Sequence, residues 1–140
     1  MRAATTEIIA RALIRDDNRV LVARKRGKRW AFLPGGHVDP GEPVEAALVR
    51  ELAEELGTTS RIVRFIGVVE HGYVDDDGNA RHEVNLIFGA ELDDIPVSQE
   101  EHLEFDWLPM DQIATADLRP SAMIGSIVGI EGPVWHGWSG

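Results

Sequence analysis

The 140 residues suit one hydrophobic core rather than two, and a composition 44% hydrophobic and 27% charged is too apolar for a disordered chain. With no cysteine, the chain can build neither a disulfide framework nor a thiolate metal site. A formal net charge of −10 would repel a nucleic-acid backbone, so a nucleic-acid polymer is not an expected partner.

In chain order, Met1–Glu7 has no long apolar stretch after its basic residue and does not read as a signal peptide. Every apolar run is far shorter than the roughly 20 residues a membrane-spanning helix needs. A cytoplasmic protein with no membrane partner is therefore expected. Glu7–Ile14 and Arg19–Arg24 are β-rich runs separated by the turn signal Asp16-Asp17-Asn18. Trp30–Leu33 reads as a short strand stopped by Pro34-Gly35-Gly36, and a Gly- and Asp-rich loop follows. Pro43–Leu56 reads as a helix, with Pro43 suited to its first position and Gly57 to its end. Its residues Val44, Leu48, Leu52 and Leu56 make one apolar stripe.

Arg61–Val74 and Arg81–Leu92 are longer strands joined across Asp75–Asn79, a hairpin loop. Phe105–Leu108 reads as a further strand, and Asp111–Ala116 and Pro120–Ile127 as short helices. The Gly- and Trp-rich Glu131–Gly140 is assigned no element. Interspersed strands and helices without repeat or linker indicate a single α/β domain over residues 1–140.

The helix carries an unusual charge arrangement. Glu51 and Glu55 are an i, i+4 pair, and Glu54 is i+3 from Glu51. At about 100° per residue, Glu51 and Glu55 fall beside the buried stripe, with Glu54 just outside its edge. Like charges at this spacing cost a helix about 0.2–0.5 kcal/mol per pair. Partial burial adds to that cost and raises carboxylate pKa values. A divalent cation reverses the sign of the problem, and Mg²⁺ prefers oxygen ligands. A solvated acidic face explains most Glu-rich helices, so this geometry alone yields only a candidate metal site.

The longer pattern is more specific. Gly36-His37-Val38-Asp39-Pro40-Gly41-Glu42 is followed, after Pro43–Val49, by Arg50-Glu51-Leu52-Ala53-Glu54-Glu55-Leu56-Gly57-Thr58. This segment, residues 36–58, resembles the Nudix box at every fixed polar and glycine position. Thr58 departs from it, standing where a larger aliphatic residue is usual, a change expected to weaken packing and spare the chemistry. Leu33-Pro34-Gly35 and Trp30 before the box are also typical of the family.

The resemblance implies a Nudix-type α/β/α sandwich with a mixed β-sheet and a loop–helix–loop box, similar to MutT-like members. It implies hydrolysis of a pyrophosphate bond in a nucleoside diphosphate-linked compound, with Mg²⁺ (or Mn²⁺) as cofactor. By position, Glu51 and Glu55 match the main metal ligands, Glu54 a further ligand or the base, and the Gly36 carbonyl a member of the metal shell. Arg50 matches a catalytic-site residue which, with Glu42, braces the loop and orients Glu51, and Gly57 supports the helix end. A homodimer is compatible with the family.

Outside the box, family members often draw another acid from a later loop, and Gln99-Glu100-Glu101-His102-Leu103-Glu104 is the place to look, Glu101 being favoured over Glu104 as catalytic and metal residue. Arg24 and Arg26 are candidates for the substrate phosphates, although a solvated basic strand end is as common. His37, His71, His82 and His102 read first as structural hydrogen-bonders, and Trp30 and Trp107 as core.

The substrate class is less legible. ADP-ribose hydrolases of the family commonly carry a Pro past the box, where this chain has Tyr73-Val74 and no Pro. Tyr73 is poorly placed for the diadenosine polyphosphate type, and the coenzyme A signature is absent. A small-molecule nucleotide, a nucleoside di- or triphosphate derivative, is the expected substrate. A catalytically silent nucleotide sensor on the same fold is the alternative, and the intact acidic set weighs against it.

Overall fold

The computed structural model describes residues 5–127 and 134–137. Strand β1, Thr6–Leu13, is the seam of the molecule. It pairs in parallel with β6, Ala80–Leu92, along its whole length, and antiparallel with the short β4, Gly35–His37. Strand β5, Ser60–Val74, lies antiparallel beyond β6, and β8, Val134–His136, adds a parallel edge to β5. The result is a five-stranded mixed sheet in the order β4-β1-β6-β5-β8. A second, antiparallel sheet joins β2 (Arg15–Asp16), β3 (Arg19–Lys25) and β7 (Leu103–Pro109) in that order.

Two cores hold these layers together. Helix α1, Val44–Leu56, sets Leu48, Leu52 and Leu56 against Ala10, Ala12, Phe88 and Ala90 on one face of the large sheet. Burying each leucine contributes about 1.5–3 kcal/mol. The opposite face gives Leu13, Ile66, Val69 and Ile87 to a second core. That core is completed by Val20 and Val22 of β3, Ile113 of a 3₁₀ turn (Met110–Thr115), and Met123 and Ile127 of α2 (Met123–Ile127). The expected α/β/α arrangement is what forms.

The expected elements need four adjustments. Trp30–Leu33 forms only isolated bridges, Phe32 to Ala23 and Ala31 to Leu118, while the true edge strand lies further on at Gly35–His37. Glycines disfavour strands in general, but here they allow close approach. A Cβ on Gly35 would come within 2.0 Å of the Ala10 carbonyl oxygen. Pro43 is the N-cap rather than the first helical residue, with ψ 140°. The helix expected at 111–116 is a 3₁₀ turn over Met110–Thr115, and Val134–His136 pairs with β5 in a segment to which the sequence assigns no element. Within 131–140, residues 131–133 and 138–140 lie outside the described residues. The turns conform: Asp17 takes a left-handed φ of 57°, and Asp75 Oδ1 accepts the N–H groups of Asp77 and Asn79.

Candidate active site

Strand β4 and helix α1 meet where the glycines let them. Glu51 lies over Gly36, where a Cβ would sit 2.4 Å from its Cδ, so only glycine accommodates the carboxylate there. Glu55, 6% exposed, turns inward, and its Oε2 accepts the Gly35 N–H at 3.2 Å. Burial, then the neighbouring Glu51 charge, pushes the Glu55 pKa up to about 8, while Arg11 and the Gly35 N–H act in the opposite direction. Glu55 stands in the last turn of a helix that has no basic residue in that turn. The helix dipole makes that end unfavourable for anions.

Arg50 organises the near side. Its Nε and Nη2 donate to the two oxygens of Glu42 at 2.8 and 3.0 Å, its Nη1 to Glu51 at 3.0 Å, and Nη2 again to the His37 carbonyl at 3.1 Å. Glu54, exposed, is reached only at 3.4 Å. The Arg50 hydrogen bonds, helped by the Asp39 N–H, lower the Glu42 pKa. Those same Glu42 bonds, then Glu51, raise that of Arg50. A planar guanidinium alone can make this two-pronged grip while reaching a second carboxylate. The helix end is closed by Gly57, at φ 69°, whose N–H donates to the Ala53 carbonyl.

Two residues were missed in the sequence. Arg11 is half-buried in β1, donating to the Asn85 Oδ1 at 3.3 Å and the Leu33 carbonyl at 3.1 Å, with its guanidinium over the Phe32 ring. Desolvation lowers its pKa, and the charges of Glu83, Glu55 and Glu51 oppose that. A lone Arg inside the apolar run Ile8–Leu13 was the available signal. Glu100 is the second. The loop after β6 docks on the helix end through Val97 N–H to the Leu56 carbonyl and Gln99 N–H to the Glu55 carbonyl. This brings the charge of Glu100, rather than Glu101, to bear on Glu55.

Other expected positions are used differently. Arg24 pairs with Asp106, and Arg26 with Glu104 and the Glu101 carbonyl, so both are committed to the β3–β7 sheet. Glu104 is likewise engaged by Arg26, and Glu101 is exposed. Trp107 packs on the core beneath Arg19, but Trp30 lies half-exposed between Lys25 and Arg119. Thr58 is buried and does more than leave a gap. Its Oγ1 donates to the Thr59 carbonyl and accepts the Asp94 N–H, both at 3.0 Å.

The donor set fits a hard divalent cation. All its members are oxygens, and Glu55 is buried beside a like charge at the wrong end of a helix dipole. Among the described residues no three acids or imidazoles are already gathered around one point, because Arg50 draws Glu51 and Glu54 to its side and Gly35 draws Glu55. One or two carboxylates with waters are what Mg²⁺ ordinarily takes from a protein.

Comparison with known proteins shows the family and the fold. The NUDIX domain model matches residues 5–124, and the chain belongs to that family. It is 30% identical over 121 residues to the oxidized purine nucleoside triphosphate hydrolase of Mus musculus, covering 84% of this chain and 75% of that one. It is 35% identical over 80 residues to an ADP-ribose pyrophosphatase of Methanocaldococcus jannaschii, covering 54% of this chain and 45% of the relative. The crystal structure of a MutT NUDIX hydrolase from Burkholderia pseudomallei superposes with TM-score 0.73 at 26% identity, covering 89% of this chain and 99% of that one. The chain spans only 42%, 45% and 43% of the length of three curated relatives it matches. No helix among the described residues is long and apolar enough to cross a membrane.

Proposed function

We propose that this chain is a Mg²⁺-dependent hydrolase that cleaves a P–O–P bond in a nucleoside di- or triphosphate derivative. The observation that carries the reading is the buried Glu55 carboxylate, set beside Glu51 and anchored on the Gly35 N–H at a helix end with no basic residue. Such a pair is costly alone and useful with a cation. The names of the relatives support a nucleotide pyrophosphate as substrate and disagree on which one.

Glu51 and Glu55 would hold the ion, with the Gly36 carbonyl and Glu54 at its margin and Glu100 as the acid supplied by the later loop. When bound, Mg²⁺ supplies Lewis-acid stabilisation of phosphoryl charge and acidifies water. The protein's own part is positional. Arg50 and Glu42 fix Glu51, and Gly35 fixes Glu55. Glu54, exposed and weakly held, accepts the proton that the attacking water loses as its oxygen bonds to phosphorus and the bridging P–O bond breaks. Arg11 places a positive charge behind the acidic pair.

The test is release of nucleoside monophosphate or phosphate from a panel of nucleoside di- and triphosphate derivatives with Mg²⁺. Turnover of at least one member, abolished by chelator, is expected. A folded protein that binds nucleotides and cleaves none would be a sensor, and one that cleaves only non-nucleotide pyrophosphates would overturn the substrate class.

A further inference from the structure

The loop after β6 presents an apolar knob. Ile95 is 85% exposed, more than any other large hydrophobic side chain among the described residues. A single exposed isoleucine is ordinary on a protein surface. This one stands on backbone that is held in place. The N–H groups of Asp93, Val97 and Gln99 donate to the carbonyls of Thr59, Leu56 and Glu55 at 3.0, 3.0 and 2.8 Å, and that of Asp94 donates to Thr58 Oγ1 at 3.0 Å. A loop pinned on both sides of Ile95 keeps the side chain outward, and little ordering cost remains when a partner covers it.

Beside the knob lies a groove of about 760 Å³, lined by Arg15 and Arg19 of the small sheet and by Asp93, Asp94 and Ile95 of the loop. Ile14, Leu92 and Trp107, all part of the core beneath α1, supply its apolar lining. None of these residues belongs to the Glu51–Glu55 site. Most of the charges around the groove are committed. Asp16 is taken by Arg19, which also lies over the Trp107 ring at 5.1 Å, and Glu91 and Asp93 are taken by Arg61. Among the described residues Arg15 and the Asp94 carboxylate are left without an ion pair, one of each sign and too far apart to pair with each other.

A knob beside a hole, with one uncommitted charge of each sign on the same face, is what a two-fold pairing of identical chains requires. Each Ile95 then enters the groove of the other copy, and each Arg15 meets the other copy's Asp94. A basic partner protein would call for a uniformly acidic face, and an apolar peptide would leave both charges uncovered. Two copies with a net charge of −10 repel at a distance. That repulsion is screened beyond about 8 Å at physiological salt, so local complementarity decides whether they associate.

We propose that the groove between β2 and the loop after β6 is a two-fold self-association face. Ile95 of each copy seats on Ile14, Leu92 and Trp107 of the other, and Arg15 pairs across the axis with Asp94. The proposal stands independently of the hydrolase reading.

The test is sedimentation velocity at about 0.15 M salt. Wild type should pass from monomer to dimer as its concentration rises from micromolar to millimolar, and Ile95→Asp should remove the dimer. Arg15→Asp and Asp94→Arg should each raise the dissociation constant roughly tenfold or more, because each sets like charges together at two symmetric contacts. Mixed in equal amounts, these two variants should recover wild-type association, since every pair across the axis then joins opposite charges. Misfolded variants could not recover in this way, and circular dichroism checks each alone. A wild type monomeric throughout, a dimer that survives Ile95→Asp, or a mixture no stronger than its components would each overturn the face.

Discussion

The carboxylate of Glu51 occupies the space that a side chain at Gly36 would fill, with a Cβ there falling 2.4 Å from its Cδ and 2.5 Å from its Oε2. The glycine is thus required by contact rather than by backbone conformation. Gly36→Ala should leave the fold intact, displace Glu51, and lower Mg²⁺-dependent turnover roughly tenfold to hundredfold. Raised Mg²⁺ should recover part of the loss. Wild-type turnover in a folded Gly36→Ala protein would refute the role of this contact.

Arg50 holds Glu42 with two hydrogen bonds and Glu51 with a third. Lysine keeps the charge but has no planar fork. Arg50→Lys should therefore lower kcat by roughly tenfold to hundredfold while KM moves little, if Arg50 acts by holding Glu51 rather than by binding substrate. Steady-state kinetics at saturating Mg²⁺ decide this. A change confined to KM would instead place Arg50 on the substrate.

Glu55 gives the metal-free protein a pH dependence of unusual sign. Its folded pKa, about 8, lies above the ordinary 4.5. Between those values the folded state keeps a proton that the unfolded state has lost. Stability must then fall as pH rises through that window, by at most about 1.4 kcal/mol per pH unit. Thermal melts in chelator from pH 5 to 8 should show Tm dropping, Glu55→Gln should flatten the trend, and Mg²⁺ should oppose it by binding the ionised form. A Tm that rises with pH in chelator, with Glu55 making no difference, would contradict the assignment.

Thr58 provides a control for stability without chemistry. Thr58→Val keeps the shape and removes the bond to the Asp94 N–H, so it should cost about 0.5–1.5 kcal/mol. Denaturant melts would show it, and kcat should stay at the wild-type value. Loss of activity in the folded variant would mean that the loop after β6 needs this bond to present Glu100.

What could be read beforehand follows from which interactions are local. Gly36, Glu42, Arg50, Glu51, Glu54, Glu55 and Gly57 sit at fixed spacing along one loop and helix, and helix periodicity alone brings Glu55 to the buried edge, where it is 6% exposed. Strand β4 was hidden because Gly35 and Gly36 look like a stop, and their purpose appears only when β1 and Glu51 are seen against them. The ion pairs of Arg24 and Arg26 depend on the β3–β7 register, set by residues some eighty positions away. Glu100 and Glu101 differ only in the phase of a turn fixed by hydrogen bonds to Leu56 and Glu55, which no periodicity encodes.

The most direct measurement compares wild type with Glu55→Gln for nucleotide cleavage at saturating Mg²⁺. Glutamine keeps the size and the acceptor for the Gly35 N–H while removing the charge. A metal-holding Glu55 predicts a loss of roughly a hundredfold or more in kcat, about 2.7 kcal/mol of transition-state stabilisation, in a protein no less stable than wild type in chelator. Turnover by Glu55→Gln within about twofold of wild type, an energy difference near 0.4 kcal/mol, would contradict the account, since the buried carboxylate would then be doing nothing for the reaction.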